Sequence, residues 1–107
     1  MIEAVIKKSH QSILQITVSG HAESDEYGKD LVCAGVSTAC FGIANALAHF
    51  DFLSQKLGTI EIREGFMDIK VHQNHKTVQV VLETFEVMLK TIEESYSKYI
   101  KIIEMEV

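Results

Sequence analysis

The longest apolar stretch of the chain, residues 31–50, decides the fold, and it reads LVCAGVSTACFGIANALAHF. It contains no Asp, Glu, Lys or Arg, and its length is close to that of a membrane span. However, glycines and polar side chains interrupt it, many of its apolar residues are alanines, and no basic cluster flanks it. We therefore expect a central helix that is packed on both sides within a soluble domain.

Period-two alternation predicts strands on both sides of this helix. Residues 2–8 and 13–19 form one hairpin around the polar turn 9–12, with Leu14, Ile16 and Val18 on one face. Residues 57–63 and 66–72 form a second hairpin around Glu64–Gly65.

A second helix is predicted after a cap at Asn74, and a last strand covers residues 99–107. The apolar stripe of that helix comprises Val78, Val81, Leu82, Phe85, Leu89, Ile92 and Tyr96. The residues expected to be solvated are Glu83, Glu86, Lys90, Glu93 and Glu94. The element order ββαββαβ indicates an α/β (α+β) fold in which two helices pack on a mixed sheet, as a single domain over residues 1–107.

The composition limits the function classes. The chain has 107 residues and a formal net charge of -5. This negative charge argues against a nucleic-acid-binding surface and mildly favours a basic partner. The alternative is that the charge only keeps a small domain soluble. Its two cysteines, Cys33 and Cys40, would lie roughly 10 Å apart on one helix, too far for a disulfide. Free thiols and the absence of a signal-peptide pattern predict a cytosolic protein.

The sequence predicts a reactive site around Cys33. With Asp30 as N-cap, Cys33 is the third residue of the first helix, where the helix N-terminus stabilises a thiolate. The alternative is that Cys33 is only a small buried hydrophobe. His21 lies on the glycine-flanked loop before the helix, where it could exchange a proton with the thiol, or it could be an ordinary surface histidine.

Other residues near Cys33 have supporting roles in this interpretation. Asp30 is first a cap and could also orient His21, while Ser37 could donate to a substrate or bond a helix carbonyl. The backbone N–H groups of Cys33 and Ala34 could hold an oxyanion. Gly20 and Gly28 bound a loop that could act as a lid.

The remaining histidines give weaker evidence for a functional site. His72 and His75 form no recognisable zinc spacing with the cysteines, so they are interpreted as surface residues and no metal is expected. His49 is expected near the C-terminus of the first helix, where a cation is favoured.

One segment resembles the signature of the ribosomal-processing cysteine protease family, called Prp. The matching residues are Gly20-His21-Ala22, followed by Glu26-Tyr27-Gly28-Lys29-Asp30-Leu31-Val32-Cys33-Ala34-Gly35-Val36-Ser37. The resemblance implies a small homodimeric bacterial protease that removes a short N-terminal extension from the large-subunit ribosomal protein L twenty-seven. It implies His21 as the catalytic histidine and Cys33 as the nucleophile, Asp30 and Ser37 as supporting residues, and no metal or cofactor.

Two other classes stay open at this point. One is a non-catalytic ribosome-assembly or protein-binding module of the same fold, which an unreactive Cys33 would favour. The other is a small redox protein, which the absence of a Cys-x-x-Cys motif disfavours.

Overall fold

The computed structural model describes residues 1–20 and 29–107, and of residues 29 and 30 only the backbone. The described elements follow the predicted order ββαββαβ. They are β1 (Ile2–Ser9), β2 (Ser12–Ser19), α1 (Lys29–His49), β3 (Gly58–Arg63), β4 (Phe66–Val71), α2 (Lys76–Tyr96) and β5 (Ile100–Glu106).

The strands form one mixed sheet in the order β3-β4-β2-β1-β5. The pairs β3–β4, β4–β2 and β2–β1 are antiparallel, and β5 lies parallel to β1 because α2 crosses over the sheet between β4 and β5. Both helices pack on one face of the sheet and against each other, and the core lies between the sheet and the helices. The predicted fold class is confirmed.

A β-bulge changes the face on which Leu14 lies, so the prediction that it shares a face with Ile16 and Val18 is wrong. The β1–β2 register shifts between Lys7 and Lys8, so Ile13 is fully buried and Leu14 is only partly buried. Simple alternation from Ile16 and Val18 assigns Leu14 to the core, but the extra residue of a bulge moves the following side chain to the other face.

The predicted apolar stripe of α2 is confirmed, whereas its predicted cap is wrong. Val78, Leu82, Phe85 and Leu89 are buried. The N-cap is His75, whose Nδ1 accepts a hydrogen bond from the Thr77 backbone N–H at 3.3 Å. Asn74 is the more usual capping residue, but its amide instead donates to the Ser12 hydroxyl at 3.4 Å.

Glu86 was expected on the solvated face of α2 but is buried, with 7% exposure. Two lysines explain this position: the Lys8 ammonium lies 2.9 Å from the Glu86 carboxylate, and the Lys90 ammonium lies 2.7 Å from it. Both lysines also contact Glu104 of β5, at 3.0 and 2.9 Å. This balanced four-residue cluster ties β1, β5 and α2 together.

The cluster makes stability depend on pH at the acidic end. Hydrogen bonding with the Glu86 carboxyl, and then with the Lys90 and Lys8 ammonium groups, lowers the pKa of Glu104 to about 2. Because this pKa is lower than in the unfolded chain, Glu104 stabilises the fold above its ordinary pKa of 4.5 and loses that effect as the pH falls towards 2. We expect Glu104→Gln to lower the melting temperature at pH 7, by an amount that shrinks below pH 4.5. A difference in melting temperature that is constant from pH 7 to pH 2.5 would contradict this role.

Among the residues that the structure describes, the first helix is packed on one side only, which corrects the expectation of packing on both sides. Val32, Val36, Ala39, Ile43 and Leu47 face the core, but only 33% of the apolar window Leu31–His49 is buried. By length and composition alone this helix could cross a membrane, a test that core helices of soluble proteins also pass. Its outer face, which has no acidic, Lys or Arg side chain beyond residue 30, is therefore uncovered in the described chain.

Candidate active site

A cleft of about 470 Å³ lies between α1 and the tip of the β3–β4 hairpin. Cys33 and Ser37, one helical turn apart, line its α1 side, and Phe41 continues the same face one turn further on. Ile62 and Met67 lie among the lining residues on the hairpin side. The structure therefore brings two of the predicted site residues, Cys33 and Ser37, to one concave surface.

The two cysteines lie in different environments. Cys33 is a free thiol that is partly buried and packs against the core cluster while lining the cleft. Cys40 is also free, but burial raises the pKa of its thiol to about 11. Because a thiol reacts as its thiolate, Cys40 is inert near neutral pH and Cys33 is the candidate nucleophile.

The start of α1 differs from the prediction. The described helix already includes Lys29, so Asp30 lies within the helix rather than at its cap, and at least four helical residues precede Cys33 instead of two. The prediction used only the capping preference of the Asp30 side chain, which does not by itself fix where a helix starts. The N–H groups of Cys33 and Ala34 donate to carbonyls one turn earlier and are not free to hold an oxyanion. By contrast, the first N–H groups of a helix have no partner within the helix itself.

Gly20 fixes the point at which the chain leaves β2 beside the cleft. Its backbone N–H donates to the Gly65 carbonyl at 3.0 Å, which ties it to the turn of the β3–β4 hairpin. Its φ is +112°, and a Cβ at this position would collide with the carbonyl oxygen of Met1. Only glycine combines this backbone conformation with so close an approach of another backbone segment.

We therefore expect Gly20→Ala to impair stability. The substitution imposes a left-handed strain and forces apart two backbone segments, at a cost of about 1–3 kcal/mol. Thermal unfolding measures the effect. Gly42→Ala, where nothing lies within 4 Å of the added Cβ, is the matched control. An unchanged melting temperature for Gly20→Ala would contradict this role.

The other predicted site residues lie outside what the structure describes. His21 and Gly28 belong to residues 21–28, and the Asp30 side chain is likewise outside the described part. Within residues 1–20 and 31–107, no group of three or more His, Cys, Asp or Glu side chains could hold a metal ion.

Known proteins share this sequence and fold. The family model described as cysteine protease Prp matches residues 1–101. The chain belongs to the Prp cysteine protease family. It is therefore a member of a cysteine protease family, and the resemblance noted over Gly20–Ser37 extends over nearly the whole chain.

Named Prp proteins are similar over most of their length. The ribosomal processing cysteine protease Prp of Bacillus subtilis is 34% identical, over 95% of this chain and 96% of that protein. The protein of the same name from Staphylococcus aureus is 33% identical, over 84% of this chain and 85% of that protein. A crystal structure of S. aureus Prp with a substrate peptide has a TM-score of 0.79 and 31% identity, over 97% of this chain and 99% of that one.

The cleft contains residues that sequence reasoning missed. Phe41 was detectable, because it lies eight residues after Cys33 and therefore on the same helical face. Arg63 and Phe66 flank the predicted Glu64–Gly65 turn, and the Arg63 guanidinium lies 4.1 Å from the centre of the Phe66 ring. That hairpin was predicted, but its position opposite Cys33 depends on tertiary packing and has no local signal.

Proposed function

We propose that this chain is an endopeptidase that removes the N-terminal extension of the large-subunit ribosomal protein L twenty-seven. The observation that carries the proposal is the position of Cys33, a free thiol on the wall of a cleft large enough for a peptide side chain and its backbone. The relatives named as ribosomal processing proteases support the substrate class. S. aureus Prp has also been crystallised with a covalently linked product peptide, which supports a peptide ligand.

In the proposed mechanism His21 takes the proton of the Cys33 thiol, and the thiolate attacks the scissile carbonyl carbon. The tetrahedral intermediate collapses as the C–N bond breaks and His21 protonates the leaving amine. Water then attacks the thioester, releasing the new carboxylate and restoring the thiol. We assign the oxyanion to the N-terminal end of α1, because the first N–H groups of a helix have no partner within it and the helix dipole there favours negative charge.

Two further residues are assigned supporting roles. Ser37 lies one turn beyond Cys33 on the cleft wall and is exposed, and we assign its hydroxyl as a donor to the bound peptide. Asp30 lies one turn before Cys33 in α1 and is proposed to orient the His21 imidazole.

We propose that the chain works as a homodimer that pairs through the outer face of α1. Large apolar side chains on and after this helix are exposed, including Leu31 at 62%, Phe50 at 47% and Leu53 at 50%, and the helix has no acidic, Lys or Arg side chain beyond residue 30. Light scattering after gel filtration should give twice the 12.0 kDa of one chain, and Phe50→Glu should give the monomer. A wild-type protein that elutes as a monomer at micromolar concentration would contradict the dimer.

We also propose a cytosolic location. The thiols of Cys33 and Cys40 are both free, as expected of a reducing compartment, and ribosome maturation takes place there. Cell fractionation of the tagged protein tests this, and recovery with the membranes or the medium would contradict it.

The decisive experiment is mass spectrometry of a synthetic peptide that spans the extension of the ribosomal protein, incubated with the protein. A single cut in this peptide, and none in a scrambled peptide of the same composition, is the expected result. The absence of any cut by folded protein, both in the peptide and in the intact ribosomal protein, would overturn the proposal and favour a binding module.

A further inference from the structure

β3 is an edge strand that ends at the cleft. It lies at one end of the sheet order, with β4 on one side and no described strand on the other. Its last two residues, Ile62 and Arg63, line the same cleft as Cys33. The free edge of the sheet is therefore continuous with the wall opposite the candidate nucleophile.

The register of the hairpin determines which backbone groups of β3 are available. Arg63 pairs with Phe66 across a two-residue turn, so these two residues exchange both ladder hydrogen bonds. The alternation of an antiparallel pair then points the backbone of Glu61 towards β4. The N–H and C=O groups of Ile60 and Ile62 consequently point to the free edge.

The side chains of β3 alternate between the two faces of the sheet. Ile60 packs partly against the core on the helix-covered face of the sheet, and Ile62, on that same face, is 39% exposed at the cleft. Glu61 and Arg63 point to the opposite face, where they form an exposed ion pair at 3.4 Å. A strand added to β3 would therefore direct every second side chain towards the α1 wall that carries Cys33.

We propose that β3 is the substrate-docking strand, to which an extended segment of the substrate adds by main-chain hydrogen bonds to Ile60 and Ile62. This inference rests on the proposed function, since it assigns the binding mode of the same cleft. Main-chain pairing holds a flexible peptide in the extended form and fixes its register relative to Cys33, while alternate side chains provide selectivity. The charges of Glu61 and Arg63 on the far face are consistent with protection of an edge that must stay open.

The test is a backbone N-methylation scan of the ribosomal extension peptide, avoiding the scissile amide. Each methyl group removes one N–H donor and leaves the side chains unchanged. We expect kcat/KM to fall by about tenfold at two alternate positions, since a hydrogen bond to the docking strand is lost there, and by less than about twofold at the position between them. A flat profile, or a fall without alternation, would overturn the inference.

A pair of variants tests the protein side. Ile60→Pro removes an outward N–H and no ladder bond, which an edge strand tolerates, whereas Ile60→Val keeps the N–H. With Cys33 alkylation and the melting temperature as checks on folding, kcat/KM should be about tenfold lower for the proline variant than for the valine variant, since only the proline removes the N–H group. Wild-type kcat/KM in a folded Ile60→Pro would overturn the inference, and if that variant does not fold, the methylation scan decides alone.

Absence of cleavage of the unmethylated peptide would overturn the proposed function together with the inference, whereas cleavage with a flat scan overturns the inference alone.

Discussion

Cys33→Ala is expected to reduce cleavage of the ribosomal peptide to the uncatalysed rate, whereas Cys40→Ala keeps kcat/KM within about twofold of wild type. Alanine at position 33 removes the sulfur that attacks the carbonyl, and nothing else in the proposed mechanism replaces it. Both cysteines lie on α1, seven residues apart, and both line the cleft, so the pair separates thiol chemistry from cleft shape. The measurement is the initial rate of peptide cleavage by each purified variant.

Stability measurements complete this comparison. Cys40 is buried, so its truncation leaves a small cavity and should lower the free energy of unfolding by about 1 kcal/mol, whereas partly buried Cys33 should cost less. Cys40→Ala is therefore expected to lose more stability than Cys33→Ala and yet to retain activity. Cleavage retained by Cys33→Ala, or lost in a folded Cys40→Ala, would reverse the assignment of the nucleophile.

Thiol labelling gives the same distinction without a substrate. Burial raises the pKa of the Cys40 thiol to about 11, so at pH 8 its thiolate is a very small fraction in the folded protein. Iodoacetamide should add one carbamidomethyl group, at Cys33, and a second only near pH 11 or after unfolding. Peptide mapping by mass spectrometry identifies the labelled residue, and early labelling of Cys40 would contradict the burial argument.

Hydrophobic periodicity predicted the fold well because it depends on which face of each element is buried. The stripe from Val78 to Leu89 and the hairpin around Glu64–Gly65 needed no tertiary information. The errors arose where tertiary partners changed a local preference. Lys8, distant in sequence, pairs with Glu86 and allows its burial, and the Ser12 hydroxyl binds Asn74 while His75 caps α2.

The site was predictable only in part, for a related reason. Helical spacing places Ser37 beside Cys33, and in the structure both residues line one cleft. The opposite wall could not be predicted, because Ile62 and Phe66 reach it through the order of strands in the sheet rather than through any spacing in the sequence. Gly20 could be recognised in the sequence as a loop glycine, but its contact with Met1 follows from strand pairing alone.

Gly58→Ala is expected to be more destabilising than the same change at Gly20, Gly35 or Gly42. Gly58 starts β3, and a Cβ there would collide with the Lys70 backbone carbonyl and with the Phe52 ring. Neither can move easily, because Lys70 lies within β4 and Phe52 is fully buried. Overpacking of this kind costs about 3 kcal/mol. For a domain of this size that lowers the melting temperature by roughly 10–20 °C, measured by calorimetry.

Gly42→Ala is the matched control, because it adds the same methyl group with the opposite expected sign. Gly42 lies in the exposed part of α1 with nothing within 4 Å of the added Cβ, so the better helix propensity of alanine should raise the free energy of unfolding by about 1 kcal/mol. Equal melting temperatures for the two variants would show that the β4 backbone and Phe52 yield to the methyl group. Opposite shifts would show that the start of β3 is held rigidly. That rigidity matters for function, because the same strand carries Ile60 and Ile62 to the cleft, and a docking strand must hold a substrate in one register relative to Cys33.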